Sequence, residues 1–159
     1  MPINIIVAMT RDGVIGDKGT IPWHIREESE HFKALTTGNA VIMGKNTWLS
    51  IPEEFRPLPS RMNIIVSSSL DRHNGAIVCK NIEEAVERAE NYGKGETFCI
   101  GGAKLYEAML PFTEILHISW IKGDYIGNVR FPYVDFSKWE MKGMKEHNEF
   151  KYGQYIRKG

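Results

Sequence analysis

The chain of 159 residues carries 20 basic and 20 acidic side chains, so its formal net charge is zero, and 42% of it is apolar. That length suits a single domain, residues 1–159, with a proper core. The charge balance argues against nucleic acid as a main partner and against a polybasic membrane anchor. No apolar run approaches a membrane span, and the N-terminus lacks the basic and apolar regions of a secretory signal.

The first two thirds alternate strand and helix signals. Ile3 to Met9 reads as a buried strand. A loop with Gly13, Gly16, Gly19 and Pro22 follows, long enough to be functional. Trp23 to Leu35 reads as an amphipathic helix, with Gly38 expected as its C-terminal cap. Ala40 to Met43 is a continuous apolar strand, and Gly44-Lys45-Asn46-Thr47 turns from it into a short helix. Pro52, Pro57 and Pro59 mark a loop before the strands Met62 to Val66 and Ala76 to Cys79. Asn81-x-x-Glu84 is a capping box for a helix with Ile82, Ala85, Val86 and Ala89 on one face. Thr97 to Ile100 is a strand running into Gly101-Gly102, and a helix with Leu105, Tyr106 and Met109 stops before Pro111. Glu114 to Ile121 is a long strand. Trp139 to Glu146 and Phe150 to Ile156 form an antiparallel hairpin turning at His147-Asn148. Strands alternating with helices predict a three-layer α/β domain, its parallel sheet covered on both faces and the hairpin added at an edge. In such sheets ligands bind beyond the carboxyl ends of strands, here Gly44, Ser67 and Gly101. Cys79 and Cys99 lie in apolar segments without C-x-x-C spacing, as reduced core residues of a cytosolic protein do.

One residue breaks the pattern. In helical projection Ile25, Phe32 and Leu35 share a face roughly 80° wide. Glu28 falls between Phe32 and Leu35 on that face. A carboxylate there either reaches round to water or is a buried acid with a raised pKa, awaiting a cationic or hydrogen-bonding ligand. His24 and His31 read as surface residues of the same helix. Gly101-Gly102-Ala103-Lys104 and Gly44-Lys45-Asn46-Thr47 each join a strand to a helix start. Such junctions are either plain turns and caps or places where free N–H groups meet an anion. Two of them, with hydroxyls at Ser67 and Ser68 and a charge at Lys80, suit a ligand with several phosphates, and NADPH rather than NADH. Arg61, at the start of a strand, is a surface arginine or a clamp for a carboxylate. Ser119, mid-strand, needs a hydrogen-bond partner, and a buried carboxylate would serve. No G-x-G-x-x-G, P-loop or nucleophile elbow is present, and the histidines lack metal-ligand spacing.

Together these residues resemble the dihydrofolate reductase family over nearly the whole chain. The resemblance runs through Gly13-Val14-Ile15-Gly16, Ile21-Pro22-Trp23, Val41 to Trp48, Arg56-Pro57-Leu58-Pro59-Ser60-Arg61 and Ile100 to Tyr106. It implies a single-domain, eight-stranded, mostly parallel sheet and NADPH-dependent reduction of 7,8-dihydrofolate by a cytoplasmic monomer. Glu28 takes the place of the family's active-site acid, with Ile21, Trp23 and Ser119 beside it. Ile6, Phe32, Leu35, Ile51 and Leu58 match the apolar walls, and Arg61 the clamp on the glutamate α-carboxylate. Ala8, Ile15, Gly16 and Tyr106 match nicotinamide positions. Lys45, Asn46, Thr47, Ser67, Ser68, Lys80, Gly101, Gly102, Ala103, Lys104 and Leu105 match phosphate, ribose and adenine positions. The loop ending in Ile21-Pro22-Trp23 matches the family's mobile loop, and the Gly-Gly peptide is expected to be cis. Ser29, the longer Pro52-Glu53-Glu54-Phe55 loop and Asn128 depart from the best-known bacterial pattern. A pyrimidine reductase of riboflavin synthesis would share the junctions but not the acid with its arginine. A non-enzymatic mononucleotide-binding module would need neither.

Overall fold

The computed structural model describes residues 2–16, 21–70 and 75–159; Gly19 and His73 lie outside them. Eight strands form one sheet in the order β5-β4-β3-β6-β1-β7-β10-β9. These are β1 (Ile3–Thr10), β3 (Ala40–Gly44), β4 (Met62–Val66), β5 (Ala76–Cys79), β6 (Thr97–Cys99), β7 (Ile115–Ile121), β9 (Trp139–Glu146) and β10 (Phe150–Arg157). The first six strands pair in parallel, and only the C-terminal hairpin is antiparallel. A two-stranded ribbon, β2 (Val14–Gly16) with β8 (Val129–Arg130), stands apart from the sheet.

Alternation along the strands divides the interior into two layers. Ile5, Val7, Ile42, Ile64, Leu116 and Ile118 point to one face. There they meet Ala85 and Ala89 of α3 (Ile82–Tyr92) and Leu105 and Met109 of α4 (Ala103–Met109). Ile6, Val41, Met43 and Ile65 point to the other face, with Trp48 of α2 (Lys45–Ser50) and Phe32 and Leu35 of α1 (Arg26–Thr36). Cys79 and Cys99 are buried and unpaired, and burial pushes the Cys99 thiol up to about 12, as expected of an inert core thiol.

The ends of α1 and α3 show how local chemistry sets the frame. Asn81 accepts the Glu84 N–H at 2.8 Å, and the Glu84 carboxylate reaches back to the Lys80 N–H at 3.2 Å, one residue beyond the usual capping box. At α1 the C-cap is Thr37, and Gly38 follows it with φ +86 and donates to Ser60 O. Gly38 thus sits just past the cap rather than at it.

The layering fixes where a ligand can lie. The helices after β1 and β3 pack on one face, and the helix after β6 packs on the other. Because β6 lies between β1 and β3, crevices open beside its carboxyl end.

Candidate active site

The apolar wall assembles as expected. Ile6, Phe32, Leu35, Ile51 and Leu58, distant in sequence, belong to one cluster on the α1 face of the sheet. Glu28 lies one helical turn before Phe32 on α1 and is half-buried. Loss of water raises its pKa from 4.5 to about 7. No ion pair or hydrogen bond to its carboxylate occurs among the described residues. The expected bond to Ser119 is not formed: the hydroxyl belongs to a buried residue of β7, beside Ala8 of β1 and Tyr152 of β10, and makes no hydrogen bond to the acid. Glu28 is nonetheless close enough for its charge to raise the pKa of the Tyr106 phenol, behind the larger effect of burial.

Tyr106 ties this region to the glycine junction. Its hydroxyl donates to Ile6 O at 2.9 Å, and its ring covers Gly101. The Gly101–Gly102 peptide is cis, as expected. Gly101 has φ +108, and a Cβ there would lie 3.1 Å from the Tyr106 ring and hydroxyl. Gly101→Ala is therefore expected to strain the backbone, dislodge Tyr106 and cost about 1–3 kcal/mol of stability, measured by urea unfolding.

The second junction meets the first. Gly44 N–H donates to Gly101 O at 2.8 Å, and a Cβ on Gly102 would lie 3.6 Å from Thr47 Oγ1. Lys45 Nζ donates to Ser69 Oγ at 3.2 Å, and Ser67 Oγ lies 3.3 Å from Ser69 Oγ. Ser69 was missed from sequence. Ser67 accepts the N–H groups of Ser69 and Leu70, and that tight turn swings Ser69 round to Lys45. Ser68, Asn46, Lys80 and Lys104 are exposed, whereas Leu105 is packed into the core beneath α4. Ala103 opens α4, half-buried. Lys45 has no carboxylate partner among the described residues. Cationic and hydroxyl donors beside glycine backbone fit an anionic dinucleotide.

At the far end of the wall, Arg61 is half-buried. Nη1 donates to Thr36 Oγ1 at 3.0 Å and Nε to Pro59 O at 2.9 Å. No carboxylate faces it among the described residues, and burial lowers its pKa. A guanidinium held by its near side, its other amino group without a hydrogen bond among the described residues, is placed to receive an anion.

Of the remaining candidates, Ile21 is 59% exposed, while Trp23 is 6% exposed and packs edge-on to Tyr125 at 5.3 Å. Ala8 packs in the same cluster as Trp23, and Ile15 and Gly16 form the ribbon β2. His24 is exposed, but His31 is not the surface residue expected. Its ring is half-buried and packs edge-on to Tyr152 at 4.3 Å and near Phe150 at 6.0 Å. Those partners lie more than a hundred residues along the chain, where helical periodicity gives no sign of them.

The chain as a whole is similar to known proteins. The chain is 36% identical to dihydrofolate reductase of Buchnera aphidicola (Acyrthosiphon pisum) over 156 residues, covering 98% of this chain and 94% of that one. It is 35% identical to that of Bacillus subtilis over 140 residues, 87% of this chain and 80% of the other. A solved dihydrofolate reductase from Enterococcus faecalis, complexed with NADP(H) and RAB-propyl, superposes with a TM-score of 0.88 at 28% identity, over 99% of this chain and 97% of that one. The pyrimidine-reductase and binding-module alternatives find no support in these matches. With the profile described as dihydrofolate reductase matching residues 2–157, the chain belongs to the dihydrofolate reductase family.

Proposed function

We propose that this protein reduces 7,8-dihydrofolate to 5,6,7,8-tetrahydrofolate with NADPH, as a single-domain cytoplasmic monomer built from residues 1–159. The observation that carries the site assignment is Glu28: a desolvated acid with no partner among the described residues, at the edge of an apolar wall and near the Gly101–Gly102 junction. A buried carboxyl group tolerates that position when a ligand supplies the missing hydrogen bonds. The 2-amino group and N3 of a pteridine are such donors.

NADPH, when bound, supplies the hydride. Lys45, Thr47, Ser67, Ser69 and the Gly101–Gly102 backbone would hold its phosphates and ribose, with Ser68, Lys80 and Lys104 at the exposed rim. Ala8, Ile15 and Gly16 would border the nicotinamide. The walls Ile6, Phe32, Leu35, Ile51 and Leu58 exclude water from the pteridine and the aromatic linker beyond it. Glu28 orients the ring and assists protonation at N5 through water. Ser119 contributes a hydroxyl on the sheet side of the acid. Arg61 binds the glutamate α-carboxylate and sets the register of the substrate along the wall. Ile21 and Trp23 close the site from the glycine-rich loop.

Adding dihydrofolate to pure protein and NADPH is expected to bleach the NADPH absorbance at 340 nm stoichiometrically. Failure to turn over dihydrofolate would overturn the assignment.

A further inference from the structure

The C-terminal hairpin reaches α1 in two places, both on one stripe of the helix. Glu27 and His31 are four residues apart and so face the same way. The stripe of Glu28 and Phe32 lies about 100° round. His147, at the hairpin turn, donates from Nδ1 to the Glu27 carboxylate. Its ring stacks on Phe150 at 4.2 Å with an interplanar angle of 7°. One turn along, the His31 ring abuts Tyr152. Tyr152 is itself fixed from behind. Asn4 Oδ1 accepts from His117 Nε2 at 2.9 Å, since the Asn4 amide already donates to Thr97 O and Glu96. His117 Nδ1 is then the acceptor for the Tyr152 hydroxyl at 2.6 Å. A chain of directed bonds therefore runs from the centre of the sheet to the ring that supports α1.

Building on the reading of Glu28 as the active-site acid, we infer that the β9–β10 hairpin is a positioning element for it, with Glu27, His31, His147 and Tyr152 as the positioning residues. Two anchors on one helical stripe remove rotation of α1 about its axis, the motion that would carry Glu28 towards or away from the pteridine. Among the described residues the acid has no hydrogen bond to fix it, so its placement depends on how the helix is held. Small errors in the placement of a catalytic group are costly, because its rate advantage resides in orientation.

Glu27→Ala and His147→Ala, singly and combined, test this in the whole enzyme. Each single variant is expected to lower kcat for dihydrofolate on the order of tenfold, with the KM for NADPH within about twofold of the parent. The double variant is expected to be no slower than either single, because both remove one contact. Glu27→Gln keeps an oxygen to accept the His147 N–H and is expected to recover most of the rate. Amide hydrogen exchange over residues 26–30 is expected to quicken in the alanine variants and not in Glu27→Gln. Parent-like kcat and exchange in the single variants, multiplicative losses in the double variant, or an equal rise in the KM for NADPH would each overturn the inference. A parent enzyme inactive on dihydrofolate would instead overturn the functional reading, and hydrogen exchange would still decide whether the hairpin holds the helix.

Discussion

Replacement of Glu28 by Gln is expected to lower turnover of dihydrofolate near pH 7 by about 10²- to 10⁴-fold, the usual contribution of a positioned acid. The direction of the pH dependence follows from burial. With a pKa raised from 4.5 to about 7, Glu28 keeps its proton through the mildly acidic range and loses it as pH rises through 7. The parent rate should therefore fall above pH 7, and the residual rate of Glu28→Gln should lose that limb. The same burial predicts that folding stability also falls as pH rises. The unfolded chain releases this proton near 4.5 and the folded chain near 7. Between those values the folded state binds more protons, so stability declines as pH rises, and the penalty is complete above 7. At about 1.4 kcal/mol per pH unit the penalty is about 3 kcal/mol. Urea unfolding of parent and Glu28→Gln at pH 4.5 and pH 8 should show the variant gaining on the parent by about that amount at the higher pH. A gap unchanged between the two pH values would contradict a desolvated acid at position 28.

Arg61→Ala is expected to raise the KM for dihydrofolate by about 10- to 100-fold, the loss of charge-assisted hydrogen bonds to a carboxylate. Little change in kcat is expected, because Arg61 lies at the far end of the wall from the acid. A reduced pterin without the glutamate tail should not distinguish variant from parent, and a comparable loss on that substrate would show that Arg61 does not read the tail. Arg61→Lys should recover only part of the affinity. It keeps the charge but not the planar fork, and it loses at least one of the bonds to Thr36 and Pro59 that aim the group.

The parts of this molecule legible in sequence are those set by short-range periodicity. Ala40–Met43 and Ala76–Cys79 are continuous apolar runs, and both strands fall where those runs predict. Glu28 stood out because Ile25, Phe32 and Leu35 define its face, and the structure keeps it half-buried beside that wall. The ribbon of β2 with β8 was not legible. It pairs three residues with two, and its geometry depends on a backbone approach so close that a Cβ on Gly127 would lie 2.3 Å from Gly16 O. The sequence predicts a surface position for His31 for a related reason. Its helix presents a polar stripe there, and only the return of the chain at Phe150 and Tyr152 turns that stripe into a contact. The expected pairing of Ser119 with Glu28 rests on complementary chemistry and on the family resemblance, neither of which sets a distance, and the register of β7 places the hydroxyl on the correct face without a hydrogen bond to the acid.

The wall beneath Glu28 also belongs to the fold. Ile6 is 5% exposed and shares its cluster with Met43, Trp48, Ile65 and Phe98, so the surface offered to a ligand is the outer layer of the smaller core. Side chains in such a layer have little freedom to change size, because each methylene lost or added is felt by the packing behind it. An inhibitor seated on this wall would therefore press on residues that hold the sheet together. Variants selected to evade it would have to surrender folding stability along with drug contact, and compensating substitutions should arise in the layer behind, at Met43, Trp48 or Phe98, rather than in the pocket.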